Sequence, residues 1–445
     1  MKKRIQLSDH FTYGRLIRFV LPSIMMMIFT SIYGAIDGLF VSQFAGKEAF
    51  TAVNLIMPFA MLPGAFGFML GTGGSAVVAK TLGEGKKERA NEYFSMMVYT
   101  SIVGGIVLTV AGILTVPLAA RAFGARDGML DACVVYGRIL FAALPLFILQ
   151  NIFQSFLVTA EKPSFGLAVT VAAGFTNVVL DYLFVAVFQW GIEGAGIATG
   201  ISQAVGAVIP LVYFIRKNDS LLHLTRPVFY GRTLWKACLN GSSELMTNIS
   251  MSLVNILYNY QLMRFIGEDG VAAYGVIMYV NFFFVAVFIG YSIGTAPIVS
   301  FHYGAGNQQE LRGIFSKSNV LMVGCGLAMV LLALGLSGPL AHVFVGYDVA
   351  LMELTRHGFA IYSLSFAVMG MNIYGSAFFT ALGDGLVSAL ISFLRTLVFQ
   401  LASVLVLPVF FKADGIWMAV VISEVLALSV TVMLLFKKRS TYHYF

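Results

Sequence analysis

The chain has 445 residues, 59% hydrophobic and only 11% charged, with a formal net charge of +7 and a mean hydropathy of +0.86. Soluble domains carry about 25% charged residues, so this balance excludes one and points to a polytopic membrane protein. Cys133, Cys238 and Cys325 lie too far apart in sequence to suggest a disulfide framework or a metal cluster.

Twelve apolar runs are predicted as membrane-spanning helices, near 16–41, 52–79, 94–118, 134–158, 164–188, 194–215, 237–262, 273–301, 316–341, 355–380, 386–411 and 415–436. Runs of about 20 residues or more cross about 30 Å of hydrocarbon at about 1.5 Å per residue, whereas barrel strands would be about half as long and would alternate in character. The start Lys2-Lys3-Arg4 followed by an apolar run resembles an export signal. That run is too long for one, holds Pro22 and Asp37 and leads into further spans, so it is read as a retained first helix.

With the N-terminus assigned to the cytoplasm, 20 of the 28 Lys and Arg fall on the inner side. They occupy residues 2–18, 80–89, 162, 216–236, 312–317 and 437–439, which is the positive-inside pattern for an even number of helices with both termini inside. The expected partner of these bases is an anionic lipid leaflet and not nucleic acid.

Sliding the sequence by 221 residues superposes Gly46 on Gly267, Gly73 on Gly294, Gly83 on Gly304, Asn151 on Asn372, Thr159-Ala160 on Thr380-Ala381 and Ser202 on Ser423. A constant offset across loops and helices argues for duplication. Each repeat has six spans, so the halves are parallel repeats about an axis near the membrane normal. The expected division is an N-terminal lobe at 1–215, a basic cytoplasmic linker at 216–236 and a C-terminal lobe at 237–445. The glycines at 83, 85, 304 and 306 are read as helix-end turns, because a phosphate-cradling loop would need a preceding strand and a Gly-Lys-Ser/Thr ending.

Ionisable and amide side chains inside such spans are costly and face a bundle interior or an aqueous cavity. In the first span Thr30, Tyr33 and Asp37 share one face, and in the fifth Asn177 and Asp181 stand one turn apart at similar depth. They are expected to form one polar cluster in the first lobe. Burial and a nearby like charge favour the protonated form of a carboxyl group, so such a pair can carry a proton near neutral pH. Carboxylate and amide oxygens of Asp37, Asn177 and Asp181 would also suit sodium. The seventh span carries Glu244, Asn248, Ser252, Asn255 and Asn259 at steps of four, four, three and four, a polar stripe expected to line the cleft between lobes. Arg395 and Glu424 in the last two spans either pair internally or reach the interface, while His302, Asn151 and Asn372 are weaker candidates.

The 39 Phe and 21 Met, including those of Pro58-Phe59-Ala60-Met61-Leu62-Pro63 and Asn151-Ile152-Phe153-Gln154-Ser155-Phe156, offer an adaptable surface for apolar shapes and organic cations. Pro22, Pro58, Pro63 and Pro297 release backbone groups and can bend their spans.

The first-span Ile36-Asp37-Gly38-Leu39-Phe40-Val41, the glycine-rich ends of spans two and eight, and Asn177 with Asp181 resemble the multidrug and toxic compound extrusion (MATE) transporters, in their bacterial MepA-type branch. The likeness covers nearly the whole chain. It implies an all-α, V-shaped bundle of two six-helix lobes that exports amphipathic, mainly cationic compounds by antiport of protons or sodium, with alternating access and no cofactor. In that likeness Asp37, Asn177 and Asp181 match the first-lobe coupling site, and Glu244 matches a seventh-helix acid of one branch. The tenth span, where that branch has another acid, carries Asn372 instead, so an N-lobe site and protons are favoured. A monomer is expected. A flippase for lipid-linked saccharides is the nearest alternative and would favour a basic cleft; a channel or a nontransporting scaffold is another. An enzyme is disfavoured, since neither a zinc motif nor a nucleophile-base set is present.

Overall fold

The computed structural model describes residues 5–226 and 228–445, and every side chain among them except those at 42 and 46–50. The Lys2-Lys3-Arg4 cluster lies outside the described residues. Helix α1 (Tyr13–Phe40) starts at Thr12, whose hydroxyl accepts from the Arg15 N–H, and passes through a π-helical turn, Val41–Ala45, into α2 (Gly46–Met61). There follow α3 (Ala65–Gly83), α4 (Lys87–Ala122) and α5 (Asp127–Thr159). Pro163 opens α6 (Pro163–Asp181), where its missing N–H is not needed, and a second π-helical turn, Tyr182–Val187, precedes α7 (Gly191–Ile215). The second half holds α8 (Gly231–Asn240), α9 (Ser242–Phe265), α10 (Glu268–Gly304), α11 (Gln308–Val345), α12 (Val349–Ser363) and α13 (Phe366–Leu382). It ends in α14 (Gly385–Phe393), a third π-helical turn, Leu394–Phe399, and α15 (Gln400–Tyr442).

Among the described residues nine helices are long and apolar enough to cross a membrane, or ten if α12 and α13, bent by 48°, are one span. The two further crossings expected from sequence have physical reasons for escaping that count. Helix α9 is long enough at 24 residues, but its row of Glu, Asn and Ser lowers its hydropathy. The 58-residue run Gly385–Tyr442 contains a reversal at Lys412, whose φ of 52° is left-handed, so one apolar stretch holds two crossings. The lipid-facing character is plain on α4, where Val103, Val107, Val110 and Leu114 recur every three or four residues and all are exposed.

The seventh span begins later than expected. Gly241 interrupts the helix, so residues 237–240 belong to α8, which leaves Trp235 66% exposed beside exposed Arg232 and Lys236. The basic connection before it does not hang free between the halves. The His223 and Thr225 N–H groups donate to Asn91 Oδ1 (2.9 Å) and Ser95 Oγ (2.8 Å), and the Tyr230 hydroxyl donates to Glu92 Oε2 (2.7 Å), pinning it to α4.

Contact between the halves is made chiefly where α1 crosses α10 and where α3 crosses α8, α9 and α10. These crossings obey the sequence repeat. A Cβ on Gly83 would overlap the carbonyl oxygen of Phe301, and one on Gly304 would overlap that of Lys80. Lys80 and Phe301, like Gly83 and Gly304, are 221 positions apart. About three turns further in, a Cβ on Gly73 would strike Gly241, and one on Gly294 would strike Val20, again repeat mates. Glycine is required at these points because backbone meets backbone. The halves therefore pack as pseudo-equivalent partners, and each gives its first helix to the other: Leu16, Phe19 and Val20 lie in the second half's core, while Ala237 lies in the first's.

The segment before α1 forms a strap that bridges both halves on this same face. Leu7 N–H donates to Glu161 Oε1 in the turn between α5 and α6, and Phe11 N–H donates to Glu310 Oε1 in the first turn of α11, each at 2.7 Å. His10 Nδ1 lies 2.7 Å from Glu310 Oε2. The C-terminus ends on this face as well, with the His443 carbonyl accepting from Arg312 Nε at 3.1 Å.

Overpacking a backbone contact costs about 1–3 kcal/mol or more. Gly83→Val and Gly304→Val are each expected to lower the unfolding temperature in detergent, whereas Gly324→Ala, with open space around its Cα, is expected to leave it unchanged.

Candidate functional site

Helices α1 and α6 pack along each other, and Gly174 fixes how closely they approach. A Cβ there would come within 2.6 Å of the Tyr33 ring. This contact sets Tyr33 and Asp37 of α1 against Asn177 and Asp181 of α6, one and two turns beyond Gly174. Asp181 is fully buried, Asn177 is 3% exposed and Asp37 9% exposed. The two carboxyl groups are close enough for each to feel the other's charge. Tyr33 is in hydrogen-bond reach of Thr30 and of Gln150 on α5, and the Thr30 hydroxyl also donates to the Met26 carbonyl at 2.9 Å. The five side chains expected to cluster in the first half are therefore brought together.

Sequence reasoning missed three members. Gln150 and Tyr136 come from α5, the latter facing both carboxyls, and Gly174 makes room for Tyr33. Gln150 lies directly beside Asn151, which the repeat singled out; for Tyr136 no sequence signal separates it from the other aromatics.

Valence in this cluster is unfilled. Asp37 Oδ1, both carboxyl oxygens of Asp181, Asn177 Nδ2 and Tyr136 Oη are buried with no hydrogen-bond partner from another protein group. Two adjacent carboxyls with three such oxygens attract a proton or a small hard cation, and either would relieve the cost of burying charge. Among the described residues no group of three or more His, Cys, Asp or Glu is placed to hold a metal ion, so a bound sodium would have to draw further oxygens from amides or backbone. Two π-helical turns flank the pair: one starts four residues after Asp37 and one directly after Asp181. Such turns interrupt regular helix bonding and commonly mark functional positions.

The stripe on α9 does not join this cluster. Glu244 and Asn248 are half-buried, while Ser252, Asn255 and Asn259 are exposed. Asn248 Nδ2 donates to the Glu244 carbonyl (2.8 Å), Ser252 Oγ to the Asn248 carbonyl (3.3 Å) and Tyr274 Oη to Asn255 Oδ1 (3.4 Å). His302 is buried near the strap, edge-on to Phe11.

The remaining candidates form a second buried cluster, in the other half. Arg395 Nε donates to both oxygens of Glu424 (2.9 and 3.0 Å), and a terminal guanidinium nitrogen lies 2.8 Å from Oε1. Asn372 Nδ2 donates to Glu424 Oε2 at 2.7 Å and Thr431 Oγ1 to Asn372 Oδ1 at 3.1 Å. Asn151, the repeat mate of Asn372, is buried too, with its Nδ2 unpartnered.

The model of the family described as MatE matches residues 22–183 and 245–405, two segments that correspond to the two halves. The chain belongs to the MatE family. Multidrug export protein MepA of Staphylococcus saprophyticus is 21% identical over 406 residues, covering 90% of this chain and 87% of that protein, and MepA of Staphylococcus aureus is 21% identical over 412 residues, covering 91% and 88%. A crystal structure of a MATE protein in complex with MaL6 superposes over 100% of both chains with a TM-score of 0.94 at 21% identity. An outward-facing multidrug resistance MATE transporter of the MOP superfamily does so with a TM-score of 0.93 at 22% identity. This MatE protein is thus a multi-pass, all-helical membrane transporter with the MATE fold, its two halves matched by the two segments of the family model.

Because Gly174 sets the α1–α6 approach, Gly174→Val is expected to displace Tyr33, lower stability by about 1–3 kcal/mol and depress transport. Gly34→Ala on α1, where nothing lies within 4 Å, is expected to do neither; unfolding curves and vesicle uptake check both.

Proposed function

We propose that this MatE protein exports amphipathic, mainly cationic organic compounds in exchange for a cation, protons in preference to sodium, by alternating access between its two six-helix halves. The observation that carries this reading is the buried Asp37–Asp181 pair with its unfilled oxygens. A carboxyl in hydrocarbon costs about 2.5–3.5 kcal/mol or more when charged and unpaired, so the pair is driven to hold a positive partner in each state of the cycle. An external proton and an organic cation then compete for one negative region, and the proton's arrival releases the drug. The exchange drives transport only because the two conformations differ in affinity for each occupant. One charge moving inward through 100 mV adds about 2.3 kcal/mol.

The division at 1–215, 216–236 and 237–445 gives the moving halves in this scheme, with the pinned segment travelling with the first. The face that carries the strap, Lys80, Lys86 and Lys87 is the cytoplasmic one, as the distribution of basic residues favours, and the membrane is the bacterial cytoplasmic membrane. The protein works as a monomer, since both halves of the cleft come from one chain. MepA, a multidrug export protein, is a relative consistent with this substrate class. The flippase alternative calls for a basic cleft, yet among the described residues Asp37, Asp181, Glu161, Glu310 and Glu424 are buried, and the partly buried Arg395 is already paired with Glu424.

Proteoliposome counterflow of tetraphenylphosphonium, with proton and sodium gradients imposed separately, tests the reading. The expected result is proton-driven flux that falls at least about tenfold, equivalent to about 1.4 kcal/mol, in both Asp37→Asn and Asp181→Asn. Undiminished proton-driven flux in both variants contradicts the coupling role, and substrate-independent conductance would identify a channel.

A further inference from the structure

The second half contains a buried charge cluster that the exchange scheme leaves without a task. Glu424 on α15 is fully buried, and each of its oxygens is saturated by Arg395 and Asn372. Arg395 sits in the π-helical turn Leu394–Phe399, as Asp181 immediately precedes the turn Tyr182–Val187. Each half thus has a buried acidic group next to a π-helical turn. Their occupancy differs: the first half's carboxyls have open oxygens, and the second half's carboxyl has a guanidinium built into the chain.

Comparison of repeat mates sharpens the contrast. At the 221-residue offset Glu424 matches Gln203, Asn372 matches Asn151 and Arg395 matches Gly174. Gln203 Oε1 and Asn151 Nδ2 are buried and unpartnered, and Gly174 has no room for a side chain because the Tyr33 ring covers it. Conversely Asp37 matches Tyr258, a buried residue on α9. Tyr258 and Tyr362 lie near enough to feel the charge of Glu424. Among the described residues Arg395 is the cation within ion-pair distance of it.

We infer that Arg395 is a tethered cation, occupying in the second half the role that an exchanged cation plays in the first, so that Glu424 is a permanent counter-ion and only one half exchanges cations. This inference rests on the reading of Asp37 and Asp181 as the exchange site. Arg395 is a positioning residue: its guanidinium grips both oxygens of Glu424 and keeps that carboxyl out of the cycle, because a tethered cation cannot leave. Removing its charge while keeping Glu424 would free a second buried carboxyl, which must then acquire a proton or cation of its own. Removing both charges would restore a closed, neutral site.

The experiment uses the full-length protein in proteoliposomes, with tetraphenylphosphonium as the probe and the proton gradient that just halts its flux as the measure of the proton-to-drug ratio. Potentiometric titration of the purified protein counts bound protons independently of transport. Arg395→Gln is expected to bind one further proton and raise the ratio by one, whereas Arg395→Lys and the double variant Arg395→Gln/Glu424→Gln are expected to keep the wild-type ratio. An Arg395→Gln protein that titrates and couples as wild type overturns the inference, as does a folded double variant that has lost proton coupling. If Arg395→Gln does not fold, the Lys and double variants decide the matter by their ratios. A wild type without any proton coupling would refute the exchange reading itself; a coupled wild type with no gain in Arg395→Gln refutes only the tethered cation.

Discussion

A carboxyl group sealed within a bilayer must hold something positive, and this requirement organises the molecule. The protein meets it in two ways. In the second half Glu424 is bound by a side chain of the same protein, Arg395, with Asn372 donating to it as well and Thr431 donating in turn to Asn372. In the first half Asp37 and Asp181 lie close together with oxygens to spare, which leaves room for a mobile positive partner. Breaking a buried pair by removing one partner costs several kcal/mol, and a transporter uses that cost to tie ion arrival to drug departure.

The duplication makes the requirement useful. Backbone contacts at Gly83 with Phe301 and at Gly304 with Lys80 are the same contact written twice, so the halves meet as near-equals about an axis between α3 and α10. An interface that depends on glycine tolerates few intermediate arrangements, because the helices either touch at backbone distance or separate. That favours two discrete packings over continuous deformation. The N-terminal strap adds two charge-assisted hydrogen bonds, from Leu7 to Glu161 and from Phe11 to Glu310, that span both halves on the same face.

Much of this was legible in the sequence. Hydropathy and length gave the spans, and the 221-residue offset gave the duplication, because both depend on many residues at once. Asp37, Asn177 and Asp181 stood out because a charged or amide side chain in a twenty-residue apolar run has no cheap explanation. Pairing of Arg395 with Glu424 was one of the two readings open for them and is the one the structure shows, but that Asn372 joins them depended on the rotation of helices about their axes, which hydropathy does not encode. Tyr136 was hidden for a similar reason: a tyrosine in an apolar helix is ordinary, and only the packing of α5 brings it near the carboxyls. The late start of α9 and the reversal at Lys412 turn on single backbone angles, and the polar row on α9 disguised a crossing helix as a less apolar one.

The central claim is that one buried carboxyl pair is shared by the coupling proton and the organic cation. Its most direct test is proton release from purified, weakly buffered protein when tetraphenylphosphonium is added near neutral pH, followed by a pH indicator. The account predicts release from the wild type and its loss in Asp37→Asn and Asp181→Asn. Drug binding without proton release in the wild type, or equal release in all three proteins, would contradict it.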